Sequence, residues 1–143
     1  MNRIVCDASV AFKWTVPGSS EPDAAEALEL LEGHLSGTHR ILVPELLFYE
    51  IGNILVYGTA RATLPVIEQE LARVHELALE IQVPSPTGDV HAARLAREAK
   101  ISFYDATYLA LAESRRCDFV TADRALARKV KSAAGIRLLG APA

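Results

Sequence analysis

The sequence predicts an α/β fold: a three-layer α/β/α domain with a central parallel sheet of about five strands. Five short, mostly apolar segments alternate along the chain with longer segments of helical periodicity. Strands separated by helical crossovers pair in parallel, and a parallel sheet is covered by helices on both faces. The chain has 143 residues, of which 50% are hydrophobic and 23% charged. This length and composition predict one compact domain, residues 1–143.

The five strands are predicted from segments of three or four residues that are rich in Ile, Val, Leu and Phe. They cover residues 3–6, 41–43, 81–83, 119–121 and 136–139. Short apolar runs of this kind, bounded by charged or turn residues, are typical of strands that are buried on both faces of a sheet.

The segments between the strands are predicted to be helices because their apolar residues recur three or four positions apart. The first is a short helix over residues 8–14. The second starts at Glu21, and its stripe is formed by Ala24, Leu28, Leu31 and Leu35. The later helices are expected at about 44–57, 67–78, 87–100, 104–116 and 123–134.

The ends of these later helices are predicted from residues that typically begin or terminate a helix. Pro44 is expected to open one helix, and Ser102 to cap another with its hydroxyl group. Either Thr87 or Asp89 is expected to cap the helix between them, and Gly135 to end the last one.

The charge and cysteine content exclude several classes of protein. Fifteen Lys and Arg against 18 Asp and Glu give a net charge of −3, so no overall positive field indicates a nucleic-acid partner. Residues 124–143, however, contain five basic residues and no acid, which leaves a local basic edge.

Cys6 and Cys117 are too few for a disulfide framework or a zinc site. No membrane-spanning run or export signal is recognisable, which predicts a soluble, cytoplasmic protein.

Two aspartates directly follow predicted strands. Asp7 comes after the first strand, and Asp123 follows the fourth by a two-residue step. Ligand sites of parallel sheets lie beyond the carboxyl ends of the strands, so both aspartates are expected at the same edge. Either could instead simply cap the next helix, since aspartate accepts hydrogen bonds from free N–H groups at a helix start.

Two further acids lie on helix faces that otherwise resemble core. Glu50 shares a face with Leu46, Ile54 and Tyr57, and Asp105 shares one with Leu109 and Ala112. Burying an ionised carboxylate costs several kcal/mol unless a cation or a hydrogen-bond donor compensates it. The alternative is that each helix is rotated enough for its acid to reach solvent or an arginine.

Four converging carboxylates would repel one another unless a cation lies among them. Oxygen ligands favour Mg²⁺ or Mn²⁺ over zinc, and the four histidines lack the spacing of a metal site. Such a cation polarises phosphoryl oxygens and provides a nucleophile from water. The acids therefore predict phosphodiester chemistry.

Four segments carry a resemblance to a known family. They read VCDAS (5–9), PELLFYEIGNIL (44–55), YDATYLALA (104–112) and FVTAD (119–123). In order and spacing they resemble the motifs of PIN domains, and the length is similar to that of free-standing VapC-type toxins. The resemblance covers essentially the whole chain, and all four acidic positions match.

The resemblance implies a metal-dependent endoribonuclease that acts as the toxin of a toxin–antitoxin pair. It carries over Asp7, Glu50, Asp105 and Asp123 as the catalytic acids. In the mechanism expected from them, Asp7, Asp105 and Asp123 hold one or two cations, Mg²⁺ or Mn²⁺. Ser9, Asn53 and Thr121 are implied to support these ligands, although each also has an ordinary structural interpretation. It further implies a VapB-like antitoxin partner and a homodimer.

Two functional details are inferred beside the resemblance. Glu50 is expected to orient or deprotonate the attacking water, and the attack on phosphorus to be in line. Arg124, Arg128 and Lys131 follow Asp123 on the last, basic helix, and they are the candidates for phosphate contacts with RNA.

Two alternative functions are compatible with the sequence. A phosphatase of the haloacid-dehalogenase type also places an aspartate after the first strand, but it has a second aspartate two residues later, where this chain has Ser9. A non-catalytic module that binds RNA or a partner protein would have the same fold but would not cleave RNA.

Overall fold

The computed structural model describes residues 2–58, 61–130 and 135–141. Its strands are β1 (Arg3–Cys6), β2 (Arg40–Pro44), β3 (Glu80–Gln82), β4 (Asp118–Thr121) and β5 (Ile136–Leu138). Its helices are α1 (Ala8–Ala11), α2 (Ala24–Ser36), α3 (Leu46–Tyr57), α4 (Leu64–Glu76), α5 (Pro86–Ala99), α6 (Phe103–Arg115) and α7 (Arg124–Lys129). A 3₁₀ turn, Phe12–Trp14, extends α1.

The five strands form one parallel sheet in the order β3-β2-β1-β4-β5. β1 lies at the centre, where Val5 pairs with Leu42 on one side and with Phe119 on the other. These three side chains are essentially inaccessible to solvent, as expected for strands covered on both faces. α6 packs across β1, β2 and β4, and α5 packs against α6. The predicted three-layer α/β/α fold with a five-stranded parallel sheet is confirmed.

The structure corrects three predicted helix boundaries. Pro44 is the last residue of β2 and does not open α3, which begins at Leu46. The cap of α5 is Ser85, whose Oγ accepts a hydrogen bond from the N–H of Gly88 at 3.1 Å, so neither Thr87 nor Asp89 has that role. α7 ends at Lys129, with Val130 as its C-terminal cap, and so is shorter than the predicted helix, whose last residues, 131–134, lie outside the described ones. Ser102 caps α6 as predicted.

The buried stripe of α2 also differs from the predicted one. Leu28 and Leu35 are 41% and 61% exposed, whereas Ala27, Leu31 and His34 are buried. His34 tolerates burial because both ring nitrogens have partners: the Ile41 N–H donates to Nδ1 at 3.0 Å, and Nε2 donates to the Leu77 carbonyl at 2.9 Å. A satisfied polar group costs little to bury, so the histidine replaces an expected leucine in the core.

Candidate active site

The side chain of Asp7 lies at the carboxyl end of the central strand and is only 5% exposed. Its Oδ1 accepts hydrogen bonds from the N–H of Ser9 at 3.1 Å and from the Ser9 hydroxyl at 2.5 Å. Its Oδ2 accepts one from the Thr121 hydroxyl at 2.6 Å. Both oxygens of a nearly buried carboxylate are therefore oriented by neutral donors.

Ser9 and Thr121 also connect the end of β1 to the end of β4. The Ser9 hydroxyl accepts from the N–H of Ala122 at 2.9 Å, and the Thr121 hydroxyl accepts from the N–H of Asp123 at 3.1 Å. Each hydroxyl thus receives one hydrogen bond and donates one to Asp7. The structure places both residues against Asp7, the position at which the sequence analysis expected them to support a ligand.

Both aspartates at the strand ends are also helix caps, which was the alternative interpretation of each. Asp7 caps α1, and the Oδ1 atom of Asp123 accepts a hydrogen bond from the N–H of Leu126 at 3.0 Å at the start of α7. Asp123 is exposed. Capping therefore leaves its carboxylate accessible from solvent, and the two roles are compatible.

Glu50 lies on α3, at the border of the buried face. The fully buried stripe of this helix is Leu47, Ile51 and Leu55, whereas Tyr57, expected to share the face of Glu50, is 75% exposed. The buried face of α3 is therefore displaced by one residue from the predicted one. With the helix rotated in this way, Glu50 is half-buried, and its Oε1 accepts a hydrogen bond from the hydroxyl of Tyr108 at 2.5 Å.

Asp105 lies in the first turn of α6, where its N–H donates to the Ser102 hydroxyl at 3.0 Å. It is half-buried, and Leu109 and Ala112 on the same face are buried as predicted. Its negative charge raises the pKa of both Asp7 and Glu50, and that of Asp123 raises the pKa of Asp105. Asp105 therefore couples electrostatically to each of the other three acids.

Burial is the main cause of the raised pKa values in this cluster. Desolvation raises the pKa of Asp7 to about 6, although the hydrogen bonds from Ser9 and Thr121 oppose it. Desolvation also raises the pKa of Glu50, opposed by the Tyr108 hydrogen bond, and that of Asp105, opposed by the Ser102 side chain. The edge therefore holds negative charge that lacks full compensation.

The acids are coupled, but their oxygens do not enclose a common point. Among the described residues, no group of three or more His, Cys, Asp and Glu side chains is arranged to hold a metal ion. Asp7 is directed toward Ser9 and Thr121, Glu50 toward Tyr108, and Asp123 toward the start of α7. The compact anionic pocket expected from the sequence is thus not preassembled among the described residues.

Three of the other predicted site residues are exposed, and the fourth lies outside the described residues. Asn53 is exposed on α3, and in the described part of the chain it makes no hydrogen bond to any of the four acids. Arg124 and Arg128 are exposed on α7. Lys131 lies outside the described residues.

Sequence reasoning missed two residues beside the acids, Tyr108 and Lys129. Tyr108 is fully buried one helical turn after Asp105, a spacing that could have indicated a shared face. Lys129 ends α7, where its ammonium lies 3.5 Å from the carbonyl oxygen of Lys100, and its charge lowers the pKa of Asp105. No local pattern distinguishes Lys129 from its basic neighbours.

An apolar cavity of about 490 Å³ opens between α3, the end of β3, α5 and α6. Its lining includes Tyr49 and Tyr104, the sequence neighbours of Glu50 and Asp105, and also Val83 and Phe103. All four are substantially exposed, from 45% for Phe103 to 68% for Tyr49. These four exposed apolar side chains therefore line one cavity.

The fold and the acidic edge define a class of α/β domains that carry carboxylates beyond the central strands of a parallel sheet. The family model of the PIN domain matches residues 4–131. This chain therefore belongs to the PIN domain family, and the resemblance inferred from the motifs is confirmed.

Several solved structures share this fold. PAE2754 of Pyrobaculum aerophilum has 24% identity and a TM-score of 0.67, covering 96% of this chain and 90% of that one. A toxin–antitoxin complex from Klebsiella pneumoniae has 17% identity and a TM-score of 0.66, covering 94% and 95%. VapC20 of Mycobacterium tuberculosis, a sarcin-ricin-loop-cleaving toxin, has 14% identity and a TM-score of 0.64, covering 89% and 95%.

No curated protein matches the sequence. Among the helices of the described residues, none combines the length and the apolar character needed to cross a membrane.

Proposed function

We propose that this protein is a divalent-cation-dependent endoribonuclease and the toxin of a toxin–antitoxin pair. The observation that carries the proposal is the electrostatic coupling of the acids at one edge of the sheet: besides burial, the charge of Asp105 raises the pKa of Asp7 and of Glu50, and the charge of Asp123 raises that of Asp105. Uncompensated carboxylates at such an edge are suited to a cation and, through it, to a phosphodiester. Membership of the PIN family supports this proposal.

The donor chemistry of the edge fits a hard cation. Asp7, Asp105 and Asp123 would hold it, all through carboxylate oxygens, which suit Mg²⁺ or Mn²⁺. When bound, such a cation supplies counter-charge and lowers the pKa of water. Asp105 and Asp123 are more accessible than Asp7, so their side chains are the ones free to adjust toward Asp7, whose oxygens are fixed by Ser9 and Thr121.

In the proposed reaction, the protein groups orient water and substrate. Glu50 accepts a proton from the attacking water through the carboxylate oxygen that Tyr108 does not engage. Water attacks phosphorus in line with the 3′ oxygen; the bond between phosphorus and that oxygen breaks, and the 3′ oxygen takes a proton from solvent. Ser9 and Thr121 keep Asp7 in one orientation during the reaction, as outer groups do around many metal ligands.

Basic residues near the acids are proposed to hold the RNA backbone. Arg124 and Arg128 are exposed on α7, and Lys129 on the same helix is close enough to act electrostatically on Asp105. Lys131 is a further candidate two residues later in the sequence. Because the net charge of the chain is −3, such a local group is needed to attract a polyanion.

The apolar surface around Tyr49, Val83, Phe103 and Tyr104 is proposed to form a homodimer. Covering exposed aromatic and aliphatic side chains with a second copy would remove them from water, and each buried Å² of apolar surface contributes roughly 25 cal/mol. Light scattering of the purified protein tests this. Tyr104→Glu should convert the dimer into a monomer, and a wild-type monomer at micromolar concentration would contradict the assignment.

The antitoxin is proposed to be a VapB-like protein encoded by a short neighbouring gene. The fold likeness to a protein in a toxin–antitoxin complex from Klebsiella pneumoniae supports this partner. Expression of this protein alone should arrest growth, and co-expression of the neighbouring gene should restore it. Growth that continues while active protein accumulates would contradict the toxin role.

The nuclease activity is tested with purified protein and end-labelled structured RNA. Cleavage is expected with Mg²⁺ or Mn²⁺, none in excess EDTA, and none with Asp7→Asn. RNA that binds but remains intact under all these conditions would instead favour a non-catalytic binding module. Release of phosphate from small phosphomonoesters would favour a phosphatase.

A further inference from the structure

Tyr108 joins two helices that carry active-site acids. It lies on α6 one turn after Asp105, and its side chain is fully buried. Its hydroxyl donates a hydrogen bond of 2.5 Å to Oε1 of Glu50, which lies on α3. The two residues are 58 positions apart in the sequence, so this contact depends on how α3 and α6 are positioned relative to each other.

The aromatic ring of Tyr108 is held by the sheet. It stacks on Phe119 of β4, with ring centroids 6.1 Å apart and ring planes inclined by 6°. Phe119 is itself 1% exposed and pairs with Val5 of β1. A ring packed in this way has little rotational freedom, so the position of the hydroxyl is set by the central strands.

The proton in this hydrogen bond belongs to the tyrosine. Burial and the nearby charge of Glu50 raise the pKa of Tyr108 far above its usual range, so the phenol stays protonated. The hydrogen bond in turn lowers the pKa of Glu50, against the effect of burial. Glu50 is thus kept ionised more easily than a carboxylate of equal burial without this donor.

We propose that Tyr108 is a positioning residue of the active site, which fixes Oε1 of Glu50 so that Oε2 is presented to the attacking water. The inference rests on the proposed ribonuclease function. A glutamate on a half-exposed helix face otherwise samples several rotamers, and catalysis requires a near-attack geometry to be held. Tyr108 supplies that restraint from inside the core, so it needs no contact with RNA or cation.

The first test is Tyr108→Phe, which removes one oxygen atom and keeps the stacked ring. We expect kcat to fall about 10- to 100-fold, the range for groups that orient active-site ligands, with KM nearly unchanged. Tyr57→Phe is the matched control, because Tyr57 is 75% exposed on the helix of Glu50. An unchanged kcat in Tyr108→Phe would overturn the inference.

The second test distinguishes positioning from a merely structural role. In a Glu50→Gln background, Tyr108→Phe should reduce kcat by less than about twofold, because groups that act as a unit lose activity non-additively. A structural role predicts the same loss in both backgrounds, and that result would count against the inference. Thermal unfolding of each variant checks that the fold is retained.

The third test needs no nuclease activity, so it separates failure of this inference from failure of the proposed function. Carboxyl-labelled glutamate allows the pKa of Glu50 to be measured by NMR in cation-free buffer. Tyr108→Phe should raise that pKa, and an unchanged value would overturn the inference whether or not RNA is cleaved. If Tyr108→Phe does not fold, a ring-fluorinated tyrosine at position 108, a stronger donor, should lower the pKa of Glu50 instead, and no change would again contradict it.

Discussion

The hydroxyl of Thr121 donates a 2.6 Å hydrogen bond to Oδ2 of Asp7 across the junction of two neighbouring parallel strands. Thr121 has no exposed surface and Asp7 almost none. Together with Ser9, this bond satisfies a carboxylate that would otherwise be buried at considerable cost. The contact therefore combines a structural task with the orientation of a proposed cation ligand.

Asp7→Asn should abolish cleavage while leaving the fold intact. The substitution keeps the volume of the side chain and removes one negative charge from the cluster. Loss of a charged ligand worth several kcal/mol corresponds to a decrease in kcat/KM of about 100-fold or more. Cleavage assays at matched protein concentration, with circular dichroism as the folding control, measure this. Full cation-dependent activity in the variant would remove Asp7 from the catalytic set.

The stability of the cation-free protein should fall as the pH rises from about 4 to about 6. Asp7 has a pKa of 3.8 when unfolded and about 6 when folded, so the folded state binds the proton more tightly. The free energy of unfolding is therefore highest below pH 4, and it decreases by about 3 kcal/mol as Asp7 ionises. The raised pKa values of Glu50 and Asp105 act in the same direction.

Urea unfolding in EDTA across this pH range measures the effect, with Asp7→Asn as the comparison. The variant lacks the titrating group, so its stability should depend less steeply on pH. Mn²⁺ should raise the melting temperature of the wild type at pH 7 much more than at pH 5, where Asp7 is largely protonated. Parallel pH profiles for the two proteins would disprove the assignment of this effect to Asp7.

Thr121→Val should destabilise the protein and impair catalysis together. Valine has the shape of threonine but cannot donate to Asp7 or accept from the N–H of Asp123. Leaving buried groups without partners costs about 1–3 kcal/mol. Thr38→Val is the control, since Thr38 is exposed in a loop. Equal unfolding free energies for the two variants would contradict the buried network.

Lys129→Gln should weaken RNA binding and reduce its dependence on salt. Removal of one cation–phosphate interaction lowers the slope of log Kd against log salt by about 0.7–0.9, so the slope should decrease by that amount. Arg40→Gln is the charge-matched control, because Arg40 begins β2 at the opposite edge of the sheet. Binding measured in the Asp7→Asn background avoids cleavage. Identical salt slopes for both variants would exclude Lys129 from the binding surface.

The strands and the location of the acids could be predicted because they follow from short-range patterns. The first predicted strand, residues 3–6, coincides with β1, and the parallel topology places Asp7 and Asp123 at one edge. Apolar runs and crossover handedness are properties that the chain carries locally. These local properties largely determine the order of the layers, and the detailed packing of side chains contributes little to it.

The rotation of α3 and the partners of Glu50 could not be predicted in the same way. The sequence indicates a stripe through Leu46 and Ile54, whereas packing buries Leu47, Ile51 and Leu55. Two adjacent apolar stripes are nearly equivalent in periodicity, and contacts with other elements decide between them. The hydrogen bond from Tyr108 depends on that rotation, so only the folded structure reveals it.

The central position of β1 has a consequence for biosynthesis. β1 is made first, but β4, its neighbour on one side, begins only at residue 118. Thr121 can thus reach Asp7, and Asp123 can bind Thr121, only after most of the polypeptide has been synthesised. A nascent or prematurely terminated chain that lacks β4 cannot assemble the acidic edge, so the edge exists only in chains that extend past residue 123.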